Sequence, residues 1–462
     1  MGLSLLLAIT GFFITTKLTL IIIVLFVGYF LYSVFSFSKK KKSKFGSSFL
    51  LLFVILPVSL GLALHYENFT FSELILHVLI LYNYTLIVLF NMVLLPMSFY
   101  SIIRYKKTQH HRYFPSISII IPAFNEEKVI EKTIQSILHT QFPKKEIFVV
   151  NNASTDKTGQ VLQKYHQDVV VLDETNKGKA HAINKGIKES SGEIIIILDA
   201  DTRVTKHALE NIVRPFETEP KLSAVSGNVK VLNRNNVNSK IQVIDYSISM
   251  NLARGIMNLY KLVPVVSGAF GAFRGSIIRN KSPFTADTLT EDFDASITLL
   301  KRGYFTAYQN DAIAYTEVPE RLNDFIRQRY RWFRGFLQGY NKHRDFFLTS
   351  SFKNENNIVF FFLLNSNLIL PIVDVISITA IVPTILIGRL ELAALLISLN
   401  SVNLIILSIY ALRANQESLQ YAKYSPFLIV YVKLLTYIFL KGMIHQFLKI
   451  NRSWTHIARK EN

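Results

Sequence analysis

Residues 18–35 read LTLIIIVLFVGYFLYSVF, eighteen consecutive positions without a charge. A helix of that length approaches the roughly 20 apolar residues that cross a hydrocarbon core, and few soluble folds bury so uniform a run. The stretch KKKKSK at 39–44 follows directly, and the positive-inside rule sets it on the cytoplasmic face. Two further apolar runs, 47–64 and 73–98, are joined by HYENFTFSE and end at the basic RYKKTQHHR, 104–112. Two crossings return a chain to the side it left, so the residues after 112 are expected in the cytosol. The shorter run Leu3–Phe13 reads as an interfacial segment or an extension of the first helix. A cleaved signal peptide is not expected, because the first residues carry no basic region and no small-residue cleavage site is obvious.

A second set of apolar runs lies at 357–388, 391–411 and 425–440, ahead of the basic segment KGMIHQFLKINRSWTHIARK. A cytoplasmic tail demands an even number of crossings. Three runs break that parity, so one is expected at the interface, or the first, which contains Pro371, is split. The expected division is therefore 1–103 membrane helices, 115–319 a soluble catalytic domain, 320–347 an interfacial amphipathic helix, 357–449 membrane helices and 450–462 a basic cytosolic tail. The formal charge, 51 − 32 = +19, suits an anionic membrane face or phosphate-bearing substrates. Nucleic acid is a poor fit, since the basic residues cluster at membrane borders. Zero cysteines exclude disulfides, thiolate zinc sites and thiol catalysis.

The middle of the chain alternates strand and helix patterns. SISIIIPAFNEE (116–127) is a buried strand running into a loop and then a helix, with Val129, Ile130, Thr133, Ile134 and Ile137 at helical spacing. EIFVVNNASTDKT (146–158) and VVVLDE (169–174) supply two more strands, GKAHAINKGIKESSG a helix, and EIIIILDAD a fourth strand. This order predicts a mainly parallel sheet with helices on both faces and ligands at the strand carboxyl ends. That edge carries Asn125, Asn151, Asn152, Asp156, Asp173, Asp199 and Asp201.

Asp199 and Asp201 stand where the fourth strand leaves the core, spaced so that both can face one hard cation such as Mg²⁺ or Mn²⁺. The plain alternative is that Asp201 or Thr202 caps a helix over VTKHALENIV. TLTEDFDASITLLKRGY (288–304) places Glu291, Asp292 and Asp294 at the start of an amphipathic helix, more acids than one cap requires. A carboxylate there is a general-base candidate. FIRQRYRWFRGFLQG (325–339) sets Gln328, Arg331 and Trp332 on one helical face. The guanidinium suits phosphate oxygens and the indole suits a sugar ring. A lipid-facing interfacial helix is the competing reading of that segment.

In order and spacing, IIPAFNEE, NKGKAHAIN, LDADT, SGAFGAFR, TEDFD and QRYRW resemble the membrane-embedded family 2 glycosyltransferases, the group of cellulose, hyaluronan, chitin and poly-N-acetylglucosamine synthases. The resemblance spans about 115–345. It implies an α/β GT-A (nucleotide-diphospho-sugar transferase) cytosolic domain inserted between helical transmembrane segments of a multi-pass plasma membrane protein. It further implies a nucleotide lined by Pro122, Ala123, Asn125, Glu126 and Asn152, with Lys179, Gln328 and Arg331 at the diphosphate. Asp199 and Asp201 match the metal motif for Mg²⁺ or Mn²⁺, and Asp292 the catalytic base. Ser267, Gly268, Arg274, Glu291 and Trp332 match the acceptor side. The reaction implied is inverting transfer from a UDP-sugar, UDP-N-acetylglucosamine first among donors, extending a β-linked polysaccharide and exporting it through the chain's own spans. Single transfer to a lipid or polyprenyl phosphate is the alternative, and an accessory membrane subunit is left open. One departure concerns 151–152, where family members often carry an aspartate and this chain has two asparagines.

Overall fold

The computed structural model describes residues 113–349, 371–372, 374–375, 385, 390–448 and 450. The runs 18–35, 47–64 and 73–98, most of 357–388, and the tail from 451 lie outside the described residues. The chain divides into two compact units, and the larger, Met97–Phe347 with Leu404–Asn462, contains the sheet and the site described below. In the smaller unit the longest described run, 390–403, is the first part of an apolar helix, Leu390–Ala414.

The larger unit is built on one eight-stranded sheet. Its strands are β1 (Ile117–Ala123), β2 (Lys145–Asn151), β3 (Val170–Asp173), β4 (Ile194–Leu198), β5 (Thr202–Val204), β6 (Leu222–Val231), β7 (Phe270–Arg274) and β8 (Phe305–Thr316). They are ordered β3-β2-β1-β4-β7-β6-β8-β5. Strands β1 to β4 run parallel, and β1, flanked by β2 and β4, is the point where the winding reverses. Ligands of such sheets sit beyond the carboxyl ends at that reversal.

Side-chain alternation explains why β1 and β4 are almost wholly apolar. Ile117, Ile119, Ile121, Ile194, Ile196 and Leu198 pack on one face with Ile130, Ile134 and Ile137 of α1 (Ile130–Leu138). Ile120, Ile195 and Ile197 pack on the other with Ala180, Ile183 and Ile187 of α3 (Lys179–Glu189). A strand covered on both faces reads as a continuous β-branched run, which is the pattern IIIIL. The remaining helix before β4 is α2 (Thr158–Gln163).

The sheet is mixed rather than mainly parallel. β7 is antiparallel to both β4 and β6, and β5 is antiparallel to β8. The sequence FGAFR, inside the motif SGAFGAFR, is β7 itself. Its small and aromatic residues carry no period-two signal, so the reversal was hidden. The alternative, a cap by Asp201 or Thr202 on a helix over VTKHALENIV, does not form. Thr202–Val204 is strand β5, and the helix that follows, α4 (Ala208–Val213), begins after His207.

After β5 come α4, α5 (Pro215–Thr218) and β6. Next are α6 (Val237–Tyr246), a π-helical stretch Ser247–Ala253, α7 (Arg254–Leu259), β7 and α8 (Gly275–Asn280). Then follow α9 (Glu291–Lys301), β8, α10 (Leu322–Lys342) and α11 (Arg344–Thr349). Later come α12 (Leu390–Ala414), a 3-10 helix Leu419–Phe427 and α13 (Leu428–Phe447). α13 lies against α10: Phe333 and Phe439 meet edge to face at 5.5 Å, and the Tyr330 hydroxyl lies 2.8 Å from His445 Nδ1. Among the described residues one helical run, Leu419–Phe447, is long and apolar enough to cross a membrane.

Candidate active site

Strand β4 ends at Leu198, and the next residue is Asp199. Because β7 runs antiparallel to β4, its start lies beside that end, and Asp199 N–H donates to the Ala269 carbonyl at 3.2 Å. This brings the Ser267–Gly268–Ala269 turn against Asp199. Lys179, the first residue of α3, reaches into the same space. Its Nζ lies 2.7 Å from Asp199 Oδ1 and 2.9 Å from Glu291 Oε1, and donates to the Gly268 carbonyl at 3.4 Å. The Gly268 N–H in turn donates to Asp292 Oδ2 at 3.2 Å, while Phe293 N–H donates to Asp292 Oδ1 at 2.8 Å. Four segments far apart in sequence thus meet through one ammonium and the backbone of one glycine.

Gly268 leaves room for this approach, since a Cβ there would stand 2.8 Å from Lys179 Nζ and 3.3 Å from both Asp292 Cβ and Glu291 Oε1. Asp201 is buried beside β5, where its Oδ1 accepts from the Thr202 hydroxyl at 3.3 Å and the Thr316 hydroxyl at 3.1 Å. Both hydroxyls sit at one paired position of β5 and β8.

The charges answer to burial and to each other. Burial, against the pull of Lys179 and with repulsion from Asp201 added, pushes the Asp199 carboxyl up to about 6. Burial and then the neighbouring Glu291 also raise Asp292 above the ordinary carboxylate range. Glu291 resists the same burial because Lys179 and Arg331 stand close, and it is held low. Burial alone would lower Lys179, yet Asp199, Glu291 and Asp292 together hold it raised.

Helix α10 closes the other side. Arg331 donates from Nη1 to the Leu289 carbonyl at 3.2 Å, one residue before Thr290. Two buried atoms, Gln328 Oε1 of α10 and Thr290 Oγ1 at the start of α9, have no hydrogen-bond partner among the described residues. A buried polar atom without a partner costs about 1–3 kcal/mol, a cost that a water or a ligand removes. Trp332 lies under the Arg329 guanidinium at 4.5 Å, and Arg329 is paired with Asp245 at 2.6 Å. Of the three residues expected on one face, Arg331 turns to the acid cluster, Trp332 to this second arginine, and the Gln328 Oε1 is buried and unbonded.

Two expectations move. Arg274 is the last residue of β7, paired with Ile194 at the start of β4, so it lies at the sheet edge opposite Asp199. Its guanidinium is spent on the carbonyls of Leu222, Phe216 and Glu219. The antiparallel direction of β7 is the reason: it brings Ser267 and Gly268 to the site and carries Arg274 away. Asn152 has both ends of its amide committed within the fold, Oδ1 accepting from Gly178 N–H at 2.8 Å and Nδ2 donating to the Asn176 carbonyl at 2.7 Å. It braces the loop that delivers Lys179. Pro122 and Ala123 end β1. Asn125, at φ 55°, accepts from Thr155 N–H at 2.8 Å, and Glu126 N–H donates to the Thr158 hydroxyl at 2.8 Å, tying the β1 loop to the β2 loop.

The sequence reading missed what holds α9 to α10. Asp294 is fully buried and accepts from Lys342 Nζ at 2.9 Å and the Thr285 hydroxyl at 2.7 Å, with His343 Nε2 at 2.6 Å. Gly335 lets the helices touch, because a Cβ there would fall 2.6 Å from Thr290 Oγ1 and 2.9 Å from its backbone nitrogen. Gly335→Ala is expected to cost about 1–3 kcal/mol by overpacking and to lower kcat by displacing Thr290 to Asp292. Calorimetric melting and saturating-substrate rates check the two together.

Asp294→Ala removes the acceptor from a buried cluster and is expected to cost about 3–5 kcal/mol at neutral pH. Asp294 outweighs its burial through bonds from His343 and Lys342, and its carboxyl is held below the ordinary value. A depressed carboxylate stabilises the fold above its unfolded pKa of about 3.9 and loses that contribution as the pH falls through the folded value. The difference in melting temperature between wild type and variant should therefore shrink as the pH falls below about 4.

Asp199 and Asp201 are hard oxygen donors from one turn, and among the described residues no third His, Cys, Asp or Glu completes a metal cage with them. That set fits Mg²⁺ or Mn²⁺ bound jointly by one or two carboxylates and a diphosphate, as such ions commonly are.

Residues 118–280 match the family model described as glycosyl transferase family 2. A poly-beta-1,6-N-acetyl-D-glucosamine synthase of Staphylococcus epidermidis is 32% identical over 228 residues, 49% of this chain and 55% of that protein. The synthase of the same name from Staphylococcus aureus (strain COL) is 34% identical over 240 residues, 51% of this chain and 58% of that protein. The chain thus spans little more than half the length of these curated relatives. Among solved structures, a mannosyltransferase from Pyrobaculum calidifontis in complex with GDP-Man and Mn²⁺ superposes with a TM-score of 0.54 at 19% identity. That likeness covers 79% of this chain and 99% of the other and bears on the fold, which is of the GT-A type.

Proposed function

The chain belongs to glycosyl transferase family 2, and from that premise we propose that it transfers sugar, with inversion, from a UDP-sugar to a growing β-linked polysaccharide. UDP-N-acetylglucosamine is the favoured donor, in keeping with the names of the two relatives. The observation that carries the reading is the meeting of Lys179, Asp199, Glu291 and Asp292 at the carboxyl end of β4.

In this reading Asp292 takes the proton of the acceptor hydroxyl as it attacks the anomeric carbon. Two backbone N–H groups aim the carboxylate, and its raised pKa brings it nearer the working pH, where a base is most effective. Lys179 and Arg331 supply positive charge to the departing diphosphate, fixed before the reaction by Glu291 and the Leu289 carbonyl. Gln328 Oε1 and Thr290 Oγ1 gain their missing partners from donor or acceptor hydroxyls. A Mg²⁺ or Mn²⁺ held by Asp199 and Asp201 would add charge neutralisation at the same diphosphate when bound. Gly268 and Ser267 border the acceptor, with Glu291 on its other side.

A multi-pass membrane protein with this domain in the cytosol, passing its product through its own spans, completes the proposal. Support comes from α13, where Val430, Tyr437 and Ile444, spaced by seven, are 70%, 57% and 53% exposed while Ile438 and Phe439 are buried. An exposed apolar stripe on a long helix suits lipid. The test is turnover by the purified, lipid-reconstituted protein across a panel of UDP-sugars with Mg²⁺ or Mn²⁺, with product sizing and linkage analysis. Long β-linked chains are expected. A single-sugar glycolipid would replace the polymerase reading, and no turnover with any nucleotide sugar would remove it.

A further inference from the structure

We propose that Arg254 is a positioning residue for sugar transfer: through the Ser226 hydroxyl it fixes the Ser267–Gly268 turn, whose amide aims Asp292. This rests on the transferase reading above and adds a residue that acts on the base from behind that turn.

Arg254 opens α7 directly after the π-helical stretch Ser247–Ala253, a form of helix that is rare and recurs at functional sites. It is 8% exposed. Among the described residues its guanidinium makes one hydrogen bond, from Nη1 to the Ser226 hydroxyl at 3.0 Å, and no ion pair. Burial lowers its pKa, against the pull of Tyr308, Asp292 and Tyr246. A guanidinium buried without a carboxylate is costly to keep. The other two buried arginines among the described residues are better provided: Arg329 pairs with Asp245, and Arg334 donates to Gln446, Tyr330 and the Ile450 carbonyl.

Ser226 is fully buried on β6, paired with Gly271 of β7. Its hydroxyl accepts from Arg254 and, at 3.2 Å, from Ser267 N–H, and it donates to the Gly227 carbonyl at 3.2 Å. One O–H and two lone pairs are then all in use. The turn itself hangs from three consecutive amides. Val266 N–H donates to Ser296 Oγ at 2.9 Å, Ser267 N–H to Ser226, and Gly268 N–H to Asp292 Oδ2 at 3.2 Å. Ser296 Oγ donates in turn to the Asp292 carbonyl at 2.6 Å. The outer two amides are thus tied to α9, and the middle one to β6 and Arg254. Without the middle tie the turn and the start of α9 are free to shift together, and Asp292 with them.

A charged donor makes a hydrogen bond about twice as strong as a neutral one, so Arg254 sets the Ser226 oxygen firmly toward Ser267 N–H. A misplacement of about 1 Å at a reacting pair costs about 10²-fold in rate. The acceptor hydroxyl of a sugar chain has one place from which to attack, whereas water reaches the same anomeric carbon from several. Loosening the turn therefore harms transfer more than hydrolysis of the donor. In that side reaction the water oxygen bonds to the anomeric carbon, its proton passes to solvent and the diphosphate leaves.

The experiment uses the full-length reconstituted protein with Mg²⁺ and the UDP-sugar of highest turnover in the panel above. It measures the ratio of sugar transferred to sugar released by water, alongside calorimetric binding of UDP. Arg254→Met is expected to lower the ratio about ten- to a hundred-fold, with UDP affinity within a few-fold of wild type. A mere loss of folded protein would lower both products together and keep the ratio. Arg254→Lys keeps a charged donor where only one N–H of the fork is used, and is expected to restore most of the ratio. Ser226→Ala is expected to match Arg254→Met, and the double variant to be no worse than either, since both cut the same tie. If Arg254→Met fails to fold, Ser226→Ala, which removes a single oxygen, decides alone. A wild-type ratio in either folded single variant, or losses that multiply in the double variant, overturns the assignment and leaves the transferase reading intact. Wild type that yields neither product from any UDP-sugar overturns both.

Discussion

Asp292→Asn is expected to lower kcat by about 10²–10⁴-fold while UDP-sugar affinity stays within a few-fold of wild type. The carboxylate accepts two backbone N–H groups, from Gly268 and from Phe293, one on each oxygen. An asparagine keeps one of those bonds and turns an amide against the other donor, at a cost of about 1 kcal/mol. Against that cost, the substitution removes the like charge that Glu291 presses on Asp292. The two effects oppose, so the melting temperature should change little and lost turnover cannot be ascribed to unfolding. The pH profile carries a second signature. A general base works ionised, and burial with Glu291 raises Asp292, so wild-type kcat should fall on its acid side above the ordinary carboxylate value of about 3.9. That limb should disappear in the variant's residual rate. An asparagine variant with wild-type turnover would take the base from Asp292 and assign the role elsewhere.

What the sequence made legible was local. Four isoleucines ahead of Asp199 fix a strand and its end, because a doubly covered strand must be apolar at every position. The acids of TEDFD and the face of QRYRW are likewise set by spacing within one helix. The parts that stayed hidden depend on chain segments far apart. β7 carries no alternation, so its antiparallel course, and with it the separation of Arg274 from Gly268, emerges only from pairing with β4. Asp294 and His343 are 49 residues apart, and neither looks unusual alone. Gly335 resembles any helical glycine until Thr290 is seen against it. Asn152 shows the reverse case: its position beside a ligand edge is visible in the sequence, but the loop that its amide braces is not.

Lys179→Ala should be the other large effect, and its pH dependence separates it from a simple loss of packing. The lysine joins Asp199 to Glu291, with Asp201 and Asp292 close by, so its removal leaves four carboxylates gathered with Arg331 as their nearest named counter-charge. Deleting one partner of a buried ion pair costs about 3–5 kcal/mol. Here the side chains of Lys179 and Asp199 keep 25% and 32% of their surface, and solvent screening brings the expected loss to roughly 2 kcal/mol near pH 8. Asp199 titrates at about 6 with the lysine present, and the lysine is among the groups that lower that value. Without it the folded pKa moves higher. A carboxyl raised in the folded state favours folding below its unfolded pKa and loses that advantage as the pH rises through the folded one. The destabilisation measured against wild type should therefore grow from pH 5 to 8, where a cavity alone would give a flat difference. Turnover should fall about 10²–10³-fold, the scale of losing one preorganised charge at a developing anion. Lys179→Arg keeps the charge but replaces a compact ammonium with a planar fork, so it should recover the pH profile of stability more fully than the rate.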